Sequence, residues 1–93
     1  MVIRSIDRRI AEKGKELNGE GYAKVRLIQG SRALTDELYE SVKDREAKDK
    51  LLRAIAEVFY GLNLLMTDCG ISEGMISELM FYKEEKDKKE MGV

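Results

Sequence analysis

The longest apolar stretch of the chain lies between Leu51 and Met66 and predicts a helix at the centre of the fold. Its apolar residues recur at steps of four and three, the spacing of one face of an α-helix. At about 100° per residue they cover an arc of roughly 140°. The arc residues are Leu51, Leu52, Ile55, Val58, Phe59, Leu62, Leu65 and Met66. So wide an arc predicts neighbours on at least two sides, and chemistry is expected on the largely polar opposite face, which carries Arg53, Glu57 and Tyr60.

Two helices are predicted before this one. The first covers residues 2–17, with a narrow apolar face, and ends at the loop signal Asn18-Gly19-Glu20-Gly21. The residues of that face are Ile3, Ile6, Ile10 and Leu17. The second runs from Tyr22 to about Asp44, although residues 23–27 alternate as a strand does. No other segment alternates convincingly, so a helix is favoured, and a break at Gly30-Ser31 with Thr35 as a new N-cap is left open.

Clear capping signals separate the third helix from a fourth. The third is expected to begin at about Lys48 and to end at Asp68-Cys69-Gly70, where Gly70 suits a left-handed C-terminal position. Ser72 then caps the fourth helix, with Glu73 complementing the helix dipole. The fourth helix is expected to turn apolar residues inward and to dissolve into a charged, fraying end at about 84–93. Those inward residues are Met75, Ile76, Leu79, Met80 and Tyr82.

The length and the apolar pattern together predict one all-α domain over residues 1–93, an antiparallel bundle of four helices with the third helix central. A lone core is marginal in a chain of 93 residues. The broad arc of the third helix, added to the apolar sides of the second and fourth, leaves more apolar surface than so small a chain can cover. The sequence therefore predicts a homodimer.

Charge and composition exclude several classes of function. The 17 basic and 18 acidic side chains are interspersed, which argues against a DNA- or RNA-binding surface. No apolar run reaches the ~18 to 20 residues of a membrane span, and the N-terminus becomes charged before a signal-peptide core could form, so a cytoplasmic protein is expected. With no histidine and one cysteine, Ser-His-Asp and Cys-His sites are excluded. Carboxylates, Lys, Arg, Tyr and an oxygen-preferring metal remain for catalysis.

Carboxylates on consecutive helices form the candidate site. Asp36, Glu37 and Glu40 lie on the second helix and Glu57 on the third. If the hairpin turns near residue 46 or 47, Glu37 is level with Glu57, and Glu40 is level with Arg53. Oxygen ligands on facing helices suit Mg²⁺, which would in turn hold the phosphates of a nucleotide.

These residues resemble the motifs of MazG-type, all-α nucleoside triphosphate pyrophosphatases, whose helical hairpin carries EExxE followed by ExxD. Asp36-Glu37-x-x-Glu40 stands in the place of the first motif, and Ala54-x-x-Glu57 in the place of the second after a gap of 13 residues. The resemblance covers about residues 23 to 85. The chain departs from the family pattern at Asp36, at Glu57 and at Ala54, where an expected metal ligand is missing.

The resemblance implies a Mg²⁺-dependent enzyme, or a degenerate relative with the same fold, that hydrolyses a nucleoside triphosphate to a nucleoside monophosphate and pyrophosphate. It implies that Glu37, Glu40 and Glu57 ligate Mg²⁺ and that Asp36 ligates the metal or orients a ligand. It also implies that Lys83 contacts phosphate.

A simpler interpretation stands beside the enzyme. Acidic residues at i and i+3 on a polar helix face are ordinarily solvated, and Glu40 opposite Arg53 would form an ion pair worth only ~0 to 1 kcal/mol. On ideal helix geometry, Asp36 and Glu40 point away from the apolar side of their helix. The alternative function is therefore a non-catalytic helical module for self-association or protein interaction.

Overall fold

The computed structural model describes residues 6–39 and 45–93, which form four α-helices. In chain order these are α1 (Arg8–Asn18), α2 (Tyr22–Leu38), α3 (Arg45–Cys69) and α4 (Glu73–Met91). No strand occurs in these two ranges, and the residues that alternate near the start of α2 are helical. The prediction of an all-α chain of four helices is confirmed.

The helix ends predicted from local capping signals are confirmed. Gly19 follows α1 with φ 95°, and Gly70 follows α3 with φ 68°, backbone conformations that favour glycine. Beyond Gly70, the amide of Ile71 donates to the carbonyl of Met66 at 2.9 Å, the long hydrogen bond of a Schellman turn. The Ser72 hydroxyl accepts from the amide of Met75 at 3.3 Å and caps α4.

Other helix ends differ from the prediction. The first helix begins at Arg8, later than expected, because the Asp7 carboxylate caps it by accepting from the amide of Arg9 at 2.9 Å. Ile3 lies outside the described residues. The third helix begins at Arg45. The fourth continues through the charged segment to Met91, supported by Lys side chains spaced three or four residues from Glu side chains.

The second helix is continuous across Gly30 and Ser31, so the suggested break is wrong. Thr35 lies in the helix interior, where its hydroxyl donates to the carbonyl of Ser31 at 2.8 Å instead of capping a new helix. The regular part of α2 ends at Leu38. The predicted continuation to Asp44 reaches beyond the described residues.

Helices α1, α2 and α3 pack against one another and are called the three-helix body below. α2 and α3 run in opposite directions, since Leu27 lies beside Gly61 and Gly30 lies beside the backbone of Glu57. With no side chain at either glycine, the two helix axes approach closely. The buried centre consists of Ala11, Ala23 and Leu64, and the side chains packed on it are Ile6, Tyr22, Tyr60 and Leu65.

The buried sides of α1 and α3 are not the predicted ones. α3 turns Gly61 and Leu64 inward, from the side predicted to be largely polar, together with Ala54 at the margin of the apolar arc. Leu52 of the arc is 65% exposed. Of the arc residues Met66 is buried and the others besides Leu52 are half-buried. α1 buries Ala11 and Gly14 and leaves Ile10 and Leu17 exposed. In both helices the small residues define the contact, because they let the neighbouring backbone come close.

The fourth helix leaves the three-helix body. Its axis is bent by 118° from that of α3, and among the described residues α4 contacts none of the other helices. The prediction that Met75, Leu79, Met80 and Tyr82 point inward is therefore wrong for the single chain: all four are exposed. The radius of gyration is 15.9 Å, against about 12 Å for a compact domain of this length.

Within the described ranges, no single helix is long and apolar enough to cross a membrane. α3 and α4 reach that length and composition only when they are taken as a pair across their bend.

Candidate functional site

The register of the α2/α3 hairpin separates Glu37 from Glu57. Glu57 lies level with Gly30, seven residues before Glu37 on α2, a distance of about 10 Å along the helix. Counted from the contact between Leu27 and Gly61, Glu37 is level with Leu51. The predicted pairing of Glu37 with Glu57 is therefore wrong, because the register of α2 against α3 differs from the expected one.

The predicted metal ligands do not converge in the part of the chain that the structure describes. Asp36 and Glu57 are exposed, and Glu37 is half-buried. Within residues 6–39 and 45–93, no three side chains of Asp, Glu, Cys or His lie close enough together to hold a metal ion. Glu40 lies outside the described residues, so the Mg²⁺ site remains a prediction. The predicted phosphate ligand Lys83 lies exposed on α4, away from the other helices.

Glu57 is engaged in a cross-helix cluster centred on Arg26. The Arg26 guanidinium donates to Glu57 Oε2 at 3.3 Å and to Tyr22 Oη at 3.3 Å. It also lies 5.1 Å from the centre of the Tyr60 ring, a cation–π contact worth about 0.5 to 1 kcal/mol at a partly exposed site. Burial lowers the pKa of Arg26, but the contacts with Tyr22 and Glu57 outweigh it and raise the pKa overall. Glu57 thus helps to hold α2 against α3.

A second ion pair joins α1 to the end of α3. Lys15 Nζ donates to Asp68 Oδ1 at 2.8 Å and lies 3.7 Å from Glu20. The hydrogen bond from Lys15 to Asp68 raises the pKa of Lys15, so this lysine keeps its charge at neutral pH. The partners are 53 residues apart, and no local sequence signal marks them. They position α1 beside the turn from which α4 departs.

Ala54 occupies the place of a metal-ligating carboxylate in the MazG-type motif. In this chain it is 6% exposed and belongs to the buried side of α3. A longer acidic side chain at this position would enter the packed body. Packing around position 54 therefore leaves no room for the carboxylate that the motif would place there.

The most conspicuous surface features are apolar. α4 exposes a run of large side chains in its first half: Met75, Leu79, Met80, Phe81 and Tyr82. A shallow groove along α1, called the α1 groove below, is lined by Asp7, Arg9, Ile10, Lys13, Gly14, Leu17, Asn18 and Tyr22. The sequence pattern had placed most of these apolar residues inside a bundle. Their exposure makes the two surfaces the candidate functional site.

No family model matches the chain, and no match is found among curated proteins or solved structures. The resemblance to MazG-type pyrophosphatases therefore rests on the short motifs around Glu37 and Glu57. The exposed surfaces and their chemistry are therefore the best indication of a function.

Proposed function

We propose that this chain is a helical self-association module that works as a homodimer. The observation that carries the proposal is the position of α4, which stands away from the three-helix body with its large apolar side chains in solvent. Leu79, for example, is 60% exposed. Monomeric soluble proteins rarely expose contiguous apolar patches of more than a few hundred Å². Met and aromatic side chains, which make up most of this surface, are enriched at protein–protein interfaces.

The total surface of the chain supports association of two copies. The accessible surface is 7477 Å², whereas a folded monomer of 10.6 kDa is expected to expose about 5,500 Å². Each chain thus carries an excess of about 2,000 Å² over that expectation. Two copies that hid this excess would bury about 4,000 Å², within the range of about 2,000 to 5,000 Å² for obligate homodimers. The excess is of the size that a stable dimer needs.

The mass of the protein in solution tests the proposal. We expect light scattering or sedimentation equilibrium at micromolar concentration to give twice the chain mass of 10.6 kDa. Leu79→Glu should give the monomer, because it places a charge within the exposed apolar side of α4. Leu38→Glu is the matched control, because Leu38 is similarly exposed but lies at the C-terminal end of α2 and not on α4. A parent protein of 10.6 kDa at these concentrations would contradict the proposal.

The non-catalytic part of the proposal has its own test. A Mg²⁺-dependent nucleotide pyrophosphohydrolase, acting in the cytoplasm, remains the alternative that the motifs suggest. With Mg²⁺ and a panel of nucleoside triphosphates, from mildly acidic to mildly alkaline pH, we expect no pyrophosphate above background. Release that scales with protein concentration and is abolished by Glu37→Gln would favour the enzyme, since a contaminating activity would not respond to that substitution.

A further inference from the structure

We infer that α4 of one protomer packs along the α1 groove of the other, and reciprocally. The inference rests on the proposed homodimer and identifies the surface that receives α4. Both elements carry apolar residues at helical spacing, and within residues 6–39 and 45–93 these side chains stay exposed. Two surfaces that lack a partner in the same molecule can satisfy each other across a two-fold axis.

The α1 groove combines apolar residues with basic ones. Ile10 is 41% exposed and Leu17 is 69% exposed, seven residues apart on one side of α1. Gly14 lies between them under the ring of Tyr22, so the middle of the groove has no projecting side chain from α1. Arg9 and Lys13 line the same groove. Asp7 also lines the groove and pairs with Arg9, and Lys13 pairs with Glu16. The groove therefore offers an apolar floor lined by two basic side chains and one acidic side chain.

The exposed side of α4 has matching features. Met75, Leu79 and Tyr82 lie at helical steps of four and three, and all three are exposed. The outer two are separated by seven residues, as are Ile10 and Leu17 on α1. Glu78 and Glu85 are also seven residues apart and lie on one edge of this apolar strip. An apolar strip with an acidic edge suits an apolar groove with basic residues.

The net charges of the two helices are also opposite. α1 has four basic and two acidic side chains, a net charge of +2, whereas α4 has four basic and six acidic side chains, a net charge of −2. Opposite charges favour the encounter and the orientation of two surfaces. Two copies of α4 facing each other would instead bring like net charges together.

Area favours the reciprocal arrangement over a simple pairing of the two α4 helices. A helix of 19 residues is ~28 Å long and ~11 Å wide, so half of its curved lateral surface is roughly 500 Å². In an α4–α4 pair each chain would bury about that area once. In the reciprocal arrangement each chain takes part in two contacts. Because α1 has 11 residues and is ~16 Å long, each contact buries roughly 300 Å² on each helix, and each chain buries roughly 600 Å². The second value is closer to the excess surface of the chain.

The turn before α4 argues against closure onto the same chain. The chain leaves α3 through Gly70 in a left-handed conformation, and the hydrogen bond from Ile71 to Met66 holds that turn. Ser72 then caps α4 directly, so few residues are free to redirect the helix. Folding α4 back onto its own body would require this turn to open.

Charge reversal on each surface separately tests the inference. One chain carries Arg9→Glu and Lys13→Glu in the α1 groove, and the other carries Glu78→Lys and Glu85→Lys on α4. A homodimer of either chain brings like charges together at both of its α1–α4 contacts. We therefore expect its dissociation constant to be about tenfold or more above that of the parent homodimer. In a mixture every α1–α4 contact pairs opposite charges, and we expect a heterodimer nearly as tight as the parent. Native mass spectrometry with one isotope-labelled chain measures both species.

A control chain carries Lys24→Glu and Arg32→Glu, the same change of charge on exposed positions of α2. It should remain a homodimer and should show no preference for the chain with the reversed α4. Far-ultraviolet circular dichroism checks that each variant is helical. If the chain with the reversed groove stays a tight homodimer, or if the mixture forms no heterodimer, α1 does not receive α4. In those cases the proposed homodimer stands, whereas a monomeric parent protein ends both proposals.

Discussion

Replacing Gly61 with leucine is expected to lower the free energy of unfolding by about 3 kcal/mol, the upper part of the range for an overpacked core. A Cβ atom at Gly61 would lie 2.8 Å from the Cα and 3.0 Å from the backbone nitrogen of Leu27. Backbone atoms cannot rotate aside as a flexible side chain can, so α2 and α3 must move apart. That movement loosens the buried contact between Ala23 and Leu64. Urea denaturation followed by circular dichroism measures the loss.

Gly74→Leu is the matched control for this prediction. Gly74 lies in the first turn of α4. Among the described residues, an added Cβ would meet the Ser72 hydroxyl oxygen at 3.8 Å, an ordinary van der Waals distance. We expect the urea midpoint of this variant to stay close to that of the parent. Equal midpoints for Gly61→Leu and Gly74→Leu would show that α2 and α3 are not in close contact at this point.

Ala54→Glu is expected to destabilise the protein by about 2 to 4 kcal/mol without increasing Mg²⁺ binding. Ala54 is 6% exposed on the buried side of α3, so a carboxylate there is desolvated or has to displace its neighbours. The MazG-type interpretation expects the opposite result, since the substitution restores the carboxylate that the motif lacks. Thermal melts and calorimetric Mg²⁺ titration of both proteins decide between the two.

Ala56→Glu separates burial from the mere addition of charge. Ala56 is on the same helix but exposed, so the substitution should leave the melting temperature nearly unchanged. A variant with Ala54→Glu that binds Mg²⁺ more tightly than the parent and melts no lower would support convergence of Glu37, Glu40 and Glu57 on one metal.

Features that depend on a few neighbouring residues were predictable. The glycine-containing ends of α1 and α3 and the Ser72 cap of α4 follow from backbone geometry and from hydrogen bonds that span at most five residues. Helical periodicity was equally local, and it led to the correct number and type of elements. The strand-like alternation at the start of α2 had no partner segment, which was sufficient reason to reject a strand.

The arrangement of the candidate enzyme site could not be predicted in the same way, because it depends on the register of two helices. The observed register places Glu37 about 10 Å along α2 from the level of Glu57. It also brought Glu57 to Arg26, a partner that no spacing in the sequence identifies. A motif identifies residue types at given distances along the chain, whereas a metal site requires their oxygen atoms at one point in space.

The all-α class, the four helices and most of the signals that end them could be predicted from the sequence, because these depend on local hydrogen bonding and on periodicity. Which side of each helix is buried depends instead on how the helices pack against one another. Apolar periodicity predicted the arc around Ile55 as the contact face of α3, but close packing selected the side with Ala54 and Gly61, where backbones can approach. The direction of α4 likewise becomes clear only in the folded chain, where the turn after Gly70 carries the helix away from the three-helix body. The apolar character of a side chain sets how much free energy is gained when it leaves water. The packing of the folded structure determines which residues cover it.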